Sequence, residues 1–222
     1  MYIPKYEGSL RKFMVKVPEV IGECSGIEVF GRLIRSVVFT TDVSIIANCN
    51  GDAVIAVYPF VPQPVITQAI MHAANVPVFA GVGGGFTKGN RVLELAKNAE
   101  MQGAYGVVLN PRTSIETITS ITNHIDLPVI ATVVSENDDI DAYIRAGASI
   151  LNVSASEDTA AVVKLIRSEF PDEAIIATGG PTDETIRSTI AAGANAITWT
   201  PPSSASVFKV LMDNYRLGLA ED

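Results

Sequence analysis

Eight short apolar runs rich in Val, Ile and Ala recur along the chain, separated for the most part by longer amphipathic stretches. They are Val37 to Thr40, Ala53 to Tyr58, Val78 to Val82, Gly106 to Asn110, Val129 to Val133, Ser149 to Ser154, Ala174 to Thr178 and Ala196 to Thr200. Each is apolar on both faces, as a parallel strand covered by helices must be. The stretches Asn90 to Gln102, Asn137 to Ala146, Thr159 to Phe170 and Asp183 to Ala192 carry apolar residues at three- and four-residue steps and predict helices. Right-handed crossovers between successive parallel strands, repeated eight times with no break in composition, predict an α/β fold: a single (β/α)8 TIM barrel. An open doubly wound sheet is the alternative.

The repeat has a visible register. Gly103-Ala104, Gly147-Ala148 and Gly193-Ala194 each end a predicted helix, at separations of 44 and 46 residues. Glycine suits the left-handed position that closes a helix, so these are predicted C-terminal caps. The 222 residues are 48% hydrophobic and 18% charged, which supplies a sizeable core and excludes a disordered chain. Residues 36–222 are predicted to form the barrel. Residues 1–35 are predicted to be a helical extension of one or two helices, over the barrel's bottom or at a subunit contact.

Charge and composition narrow the function. A formal net charge of -8 disfavours nucleic acid, whose phosphates are held mainly by Lys and Arg. No apolar run approaches the roughly 18 to 20 residues of a membrane span, and Met1 to Glu7 carries charge and proline where a signal peptide would be apolar. Two cysteines, Cys24 and Cys49, make no disulfide framework, and a cytoplasmic location is expected.

In a TIM barrel the active site is built at the carboxyl ends of the strands. Here those ends are mostly uncharged. The substrate-binding candidates are Asn110 and Arg112 after the fourth strand, Asn152 in the sixth and Thr178 in the seventh, with short polar caps of the following helices as the alternative. Gly179 and Gly180 after the seventh strand, with Thr200, Ser203 and Ser204 after the eighth, occupy the corner where many barrels bind phosphate. Against this, Asp183 and Glu184 compete for the same helix terminus, and Pro201 and Pro202 supply no N–H. Simple turn glycines are the alternative.

The catalytic candidates are Asp42, after the first strand, and Lys88, in the glycine-rich loop Gly83 to Asn90 that reads as a mobile lid or an anion cradle. Asp42, Glu136 and Asp183 can each instead begin a helix. The loop Tyr58 to Pro64, with three prolines and two aromatics, suits a pocket wall or a subunit contact. Lys97, Lys164 and Lys209 fall on helices, away from the strand positions a Schiff-base lysine needs. His72 and His124 also lie on helices, so neither a metal site nor a Ser-His-Asp arrangement is expected.

The segment Ala177-Thr178-Gly179-Gly180, followed by Ala191-Ala192-Gly193-Ala194-Asn195-Ala196-Ile197, resembles the last quarter of the ribulose-phosphate-binding barrels: phosphogluconate-type aldolases, thiamine phosphate synthase and sugar-phosphate epimerases. The glycerol-uptake operon antiterminator looks like a closer relation in layout. The resemblance implies phosphate held near Gly179, Gly180, Thr200 and Ser203. The aldolases' lysine position falls near Asn152 or Ser154, so their Schiff-base chemistry does not carry over. The antiterminator's acidic and histidine-bearing loop is replaced by Gly83-Gly84-Gly85-Phe86, so its regulatory role does not carry over directly.

The expected function is binding of a small phosphorylated metabolite, as a metal-independent lyase or isomerase. A non-catalytic metabolite sensor is the alternative, and a scaffold with a vestigial pocket the third. No cofactor is expected; flavin-dependent barrels also bind phosphate at this corner, but nothing else in the sequence singles out flavin. The expected partners are the phosphorylated ligand and further copies of the chain in a homo-oligomer.

Overall fold

Parallel strands buried on both faces have one economical way to lose their edges, which is to close on themselves. In the computed structural model, which describes residues 15–219 together with Pro4 and Gly8, eight of them do so. A hairpin, β1 (Ile27–Val29) and β2 (Arg32–Ile34), precedes the barrel. The barrel strands are β3 (Ser36–Phe39), β4 (Ala53–Ala56), β5 (Val78–Gly83), β6 (Gly106–Leu109), β7 (Val129–Val133), β8 (Ile150–Val153), β9 (Ala174–Thr178) and β10 (Ala196–Trp199). All pair in parallel and in chain order, and β10 closes the ring on β3. This is the expected (β/α)8 barrel, with additional elements at its amino end.

The helices are α1 (Val43–Ala47), α2 (Pro64–Ala73), α3 (Asn90–Met101), α4 (Ile115–Thr122), α5 (Ile140–Arg145), α6 (Thr159–Glu169), α7 (Asp183–Ala191) and α8 (Ser204–Arg216). Gly103 has φ +91°, and the Ala104 N–H donates to the Ala99 carbonyl while the Gly103 N–H donates to that of Glu100. These paired bonds are a Schellman closure, and α5 and α7 end the same way at Gly147 and Gly193. The alanine after each glycine is buried, so the cap also aims the chain inward toward the next strand.

Alternate strand residues serve two cores. Val37, Ile55, Phe79, Val108, Ile130, Ile150 and Ile176 fill the barrel interior. Val107, Val129, Leu151, Ile175 and Ile197 face outward against the helices.

The described part of the extension corrects the expectation of helices. It is a 3-10 turn, Glu19–Glu23, followed by the hairpin. Five residues are too few for a stable isolated helix, and positive φ at both Phe30 and Gly31 favours a tight hairpin turn. Val29 and Ile34 join the interior core, and Phe30 meets Tyr105 edge-on at 5.7 Å, so the hairpin plugs the amino-terminal end of the barrel. Residues 1–14, apart from Pro4 and Gly8, lie outside the described residues.

The 3-10 turn packs on α7 and buries Val20 and Ile21 in the outer core that also holds Ile197. By contrast, α8 buries no residue, and its Phe208 and Tyr215 are exposed. The wall beside β10 is therefore covered by the amino-terminal segment, and the last helix contributes little to the core. Accordingly, Ile21→Ala is expected to cost about 2 to 5 kcal/mol in urea unfolding, and Phe208→Ala to stay within about 0.5 kcal/mol. The reverse order would show that α8, and not the 3-10 turn, secures this wall.

Candidate functional site

The carboxyl ends of β3 to β10 open on one rim, and the inward-facing residue near each end defines the mouth. On the β7 to β10 side this layer is polar and uncharged. Thr132 and Asn152 are both buried, and Asn152 Nδ2 donates to Thr132 Oγ1 at 3.2 Å. Thr178 Oγ1 donates to Ser154 Oγ at 3.3 Å. Thr198 is also buried, and its hydroxyl has no hydrogen-bond partner among the described residues. On the β4 and β5 side the layer is apolar, with Val57 and Gly81.

A cavity of about 510 Å³ opens on this apolar side. Val57, Tyr58, Phe60 and Pro62 wall it from the loop after β4, Phe86 and Thr87 from the loop after β5, and Asn110 from the end of β6. The Tyr58 hydroxyl accepts from the Gln63 N–H at 2.8 Å, which clamps the proline-rich loop. Gly83 and Gly84 have positive φ, and a side chain at Gly84 would run into Thr113. The Gly84 N–H donates to the Thr87 carbonyl and the Asn110 N–H to that of Gly83. The base of the glycine loop is thus packed and hydrogen-bonded, while Phe86 at its tip is wholly exposed.

The phosphate-corner residues lie on another part of the rim, at β9 and β10, with β3 standing between β10 and β4. Strands β9 and β10 are paired with Thr178 opposite Thr198, and the Gly179 N–H reaches the Thr198 carbonyl at 3.4 Å. The turn at Gly179 and Gly180 therefore sits beside the Thr200 to Ser204 segment. Gly179 is buried, and a Cβ there would stand 2.7 Å from Ile197 and 2.8 Å from Ile186. Gly180 is exposed with φ +78°. Thr200 and Ser203 are exposed, and Ser203 caps α8 by accepting from the Ser206 N–H.

Asp42 joins the first and last barrel strands' loops. Its Oδ1 accepts from the Ser44 and Ile45 N–H groups and the Ser44 hydroxyl, capping α1. Its Oδ2 accepts from the Ser204 N–H at 3.0 Å, at the start of α8. The hydrogen bonds from Ser204, and then Ser44, hold this carboxyl well below the usual carboxylate range. The Ser204 amide is consequently engaged with a carboxylate.

Among the remaining candidates, Lys88 is exposed next to the cavity-lining Thr87. Arg112 is exposed with φ +59° just after Asn110. Glu136 borders a separate cleft with Asp158, and Asp183 is the exposed first residue of α7. His124 Nδ1 contacts the Ser120 carbonyl at the end of α4, and His72 is exposed in the last turn of α2. Burial pushes the Cys24 thiol up to about 11, which keeps it protonated and unreactive. Thr132 is a mouth residue that strand-end reading missed, while Phe60 and Phe86 belong to the two loops read from the sequence as a pocket wall and as a lid or anion cradle. Counting inward positions from Ile130 would have found Thr132.

A larger open cleft lies near the opposite end, by Gly26 and Asn195. Its Arg167 is fully used in structure, donating to the Gly193 and Pro171 carbonyls and to Asn195 Oδ1.

No protein-family model matches the chain, and no curated protein matches it. Solved structures do. Phosphonopyruvate hydrolase in complex with oxalate and Mg++ superposes with a TM-score of 0.62 at 15% identity, covering 90% of this chain and 86% of its own. Phosphoenolpyruvate phosphomutase from Streptomyces platensis subsp. rosaceus gives 0.60 at 13%, covering 82% and 80%. A mandelate oxidase with 3,3-difluoro-2-hydroxy-3-phenylpropionic acid gives 0.61 at 15%, covering 90% and 72%. A hydrolase, a mutase and an oxidase stand at the same distance, so the likeness establishes the barrel fold alone.

The resemblance to the ribulose-phosphate-binding barrels is corrected by these comparisons, in which the similar structures are instead a phosphonopyruvate hydrolase, a phosphoenolpyruvate phosphomutase and a mandelate oxidase. The physical reason lies in the matching residues themselves. Gly193 closes α7 and Gly179 makes room for Ile197 and Ile186, which are demands of packing a strand-helix unit rather than marks of one family.

The polar layer at the mouth, Thr132, Asn152, Ser154, Thr178 and Thr198, contains no carboxylate, the donor that magnesium sites ordinarily draw on. Among the described residues no group of three or more His, Cys, Asp and Glu is placed to hold a metal ion. These residues do not fit the ion seen with the hydrolase.

The folded-state pKa of Asp42 is depressed, so its contribution to stability is full above the ordinary carboxylate value of about 4 and fades as pH falls below it. Asp42→Ala is expected to lose about 1 kcal/mol at neutral pH. Urea unfolding across a pH series should show the gap to the parent closing in acid. A gap unchanged down to about pH 3 would mean that the charge of Asp42 is not what holds the α8 start.

Proposed function

We propose that the mouth of this barrel binds a small phosphorylated metabolite. The observation that carries the reading is the side-by-side placement of the Gly179-Gly180 turn and the Thr200 to Ser203 segment on paired strands, beside a layer of neutral hydrogen-bonding side chains. In this reading the phosphate is held by the Gly180 turn and the Thr200 and Ser203 hydroxyls. Asn110, Asn152 and Thr178 orient the rest of the molecule, and Arg112 approaches from outside. The names of two of the similar structures, phosphonopyruvate hydrolase and phosphoenolpyruvate phosphomutase, support a phosphorylated or phosphonylated ligand.

As a lyase or isomerase, the protein would use Lys88 for proton transfer. Asp42 becomes a positioning residue, since its lone pairs are committed to Ser44, Ile45 and Ser204. That same commitment, with the absence of any ionisable side chain from the polar layer of the mouth, favours a second reading: a metabolite sensor that binds without turnover. Membrane work finds no support, since no described helix is long and apolar enough to cross a bilayer.

Thermal unfolding with inorganic phosphate, glycerol 3-phosphate, phosphoenolpyruvate and phosphonopyruvate tests the binding reading. A ligand of the folded state stabilises it by about 2.7 kcal/mol at one hundred times its Kd, and so raises the melting temperature with concentration. Thr200→Asp, an exposed change that adds negative charge at the corner, is expected to weaken binding at least about tenfold while leaving the unliganded melting temperature nearly unchanged. No shift with any compound would end the proposal. Turnover lost in Lys88→Met would separate the enzyme from the sensor.

A further inference from the structure

The cavity after β4 and β5 has a chemistry of its own. Its walls carry no charged side chain, and its side-chain polar groups are those of Tyr58, Thr87 and Asn110. The Tyr58 hydroxyl is turned to the backbone of Gln63, which leaves Asn110 and Thr87 to meet a ligand. Its volume, about 510 Å³, falls within the roughly 300 to 1,000 Å³ usual for small-molecule sites. Phe60 is 71% exposed and Phe86 fully exposed at its edge, although aromatic surface of this size gains most from being covered.

From these features we infer that the cavity takes a flat aromatic ring, the non-phosphate end of the mouth's ligand. This rests on the phosphate-binding reading of the same mouth and adds the class of molecule attached to the phosphate. A polyol chain placed here would bring several hydroxyls to a wall that can pair only a few, and each unpaired group carries a desolvation penalty. A ring asks for little beyond apolar and aromatic contact, which Tyr58, Phe60, Pro62 and Phe86 supply. Pro59, Pro62 and Pro64, with the Tyr58 to Gln63 clamp, hold one wall in place before the ligand arrives, so little ordering is left to oppose binding. Phe86 sits at the tip of a loop whose base is packed, so it can turn onto the ring while the loop stays anchored. Asn110, at the inner edge of the cavity, can pair a ring substituent or heteroatom.

Calorimetric titration with phenyl phosphate, glycerol 3-phosphate, inorganic phosphate and phenol separates the two claims. Phenyl phosphate is expected to bind at least about tenfold more tightly than glycerol 3-phosphate. In the double variant Phe60→Ala, Phe86→Ala that advantage should vanish while glycerol 3-phosphate binds as before. Both residues are exposed, so the variant should unfold at close to the parent temperature. Equal binding of the two phosphate esters, or an advantage that survives the double variant, overturns the aromatic pocket and leaves the phosphate reading standing. Phenol binding that depends on the two phenylalanines, with no gain from the phosphate, does the opposite. Binding by none of the four overturns both.

Discussion

Closure of the parallel ladder between β10 and β3 is the constraint on which the rest of the structure depends. Without it the sheet would have two unpaired edges. With it, every barrel strand has a neighbour on each side, and alternate residues must serve an interior core or an outer one. Closure also brings all the strand ends to a common rim, so residues from distant parts of the chain share one mouth. Asn110 and Thr178 face the same opening only because the ring is complete.

The way the ring is wrapped bears on that rim. The 3-10 turn at Glu19–Glu23 fills the outer wall near Ile197, so α8 is relieved of core packing. Its start is then set largely at the rim, where Asp42 accepts from Ser204. One carboxylate therefore links the first and last barrel strands' loops, next to the proposed phosphate position. An acid that looked like a catalytic candidate acquires a mechanical role, and its depressed pKa follows from the same hydrogen bonds. The mouth is left with two unlike halves, neutral polar groups around β7 to β10 and apolar walls around β4 and β5.

The strands and their order could be read almost completely from residue pattern. Val129 to Val133 and Ala174 to Thr178 coincide with β7 and β9, because burial on both faces demands an uninterrupted apolar run. The helix-closing glycines were equally legible, since Gly103, Gly147 and Gly193 take backbone angles that other residues resist. The amino-terminal segment was not, because short elements leave no periodicity and Val29 and Ile34 declare their purpose only against the barrel floor. For the same reason a Gly-Gly turn looked like a family signature when packing against Ile197 already requires it.

Taken alone, the order of residues determined the fold class, the strand positions and the neutral character of the strand ends, since these depend on local periodicity and side-chain type. Tertiary structure decided which polar groups meet: Asn152 with Thr132, Thr178 with Ser154, and Asp42 with Ser204 across 162 residues of chain. It also decided that Phe60 and Phe86 flank one cavity. Such pairings depend on distances through space, which follow from ring closure and strand register and which no local pattern encodes.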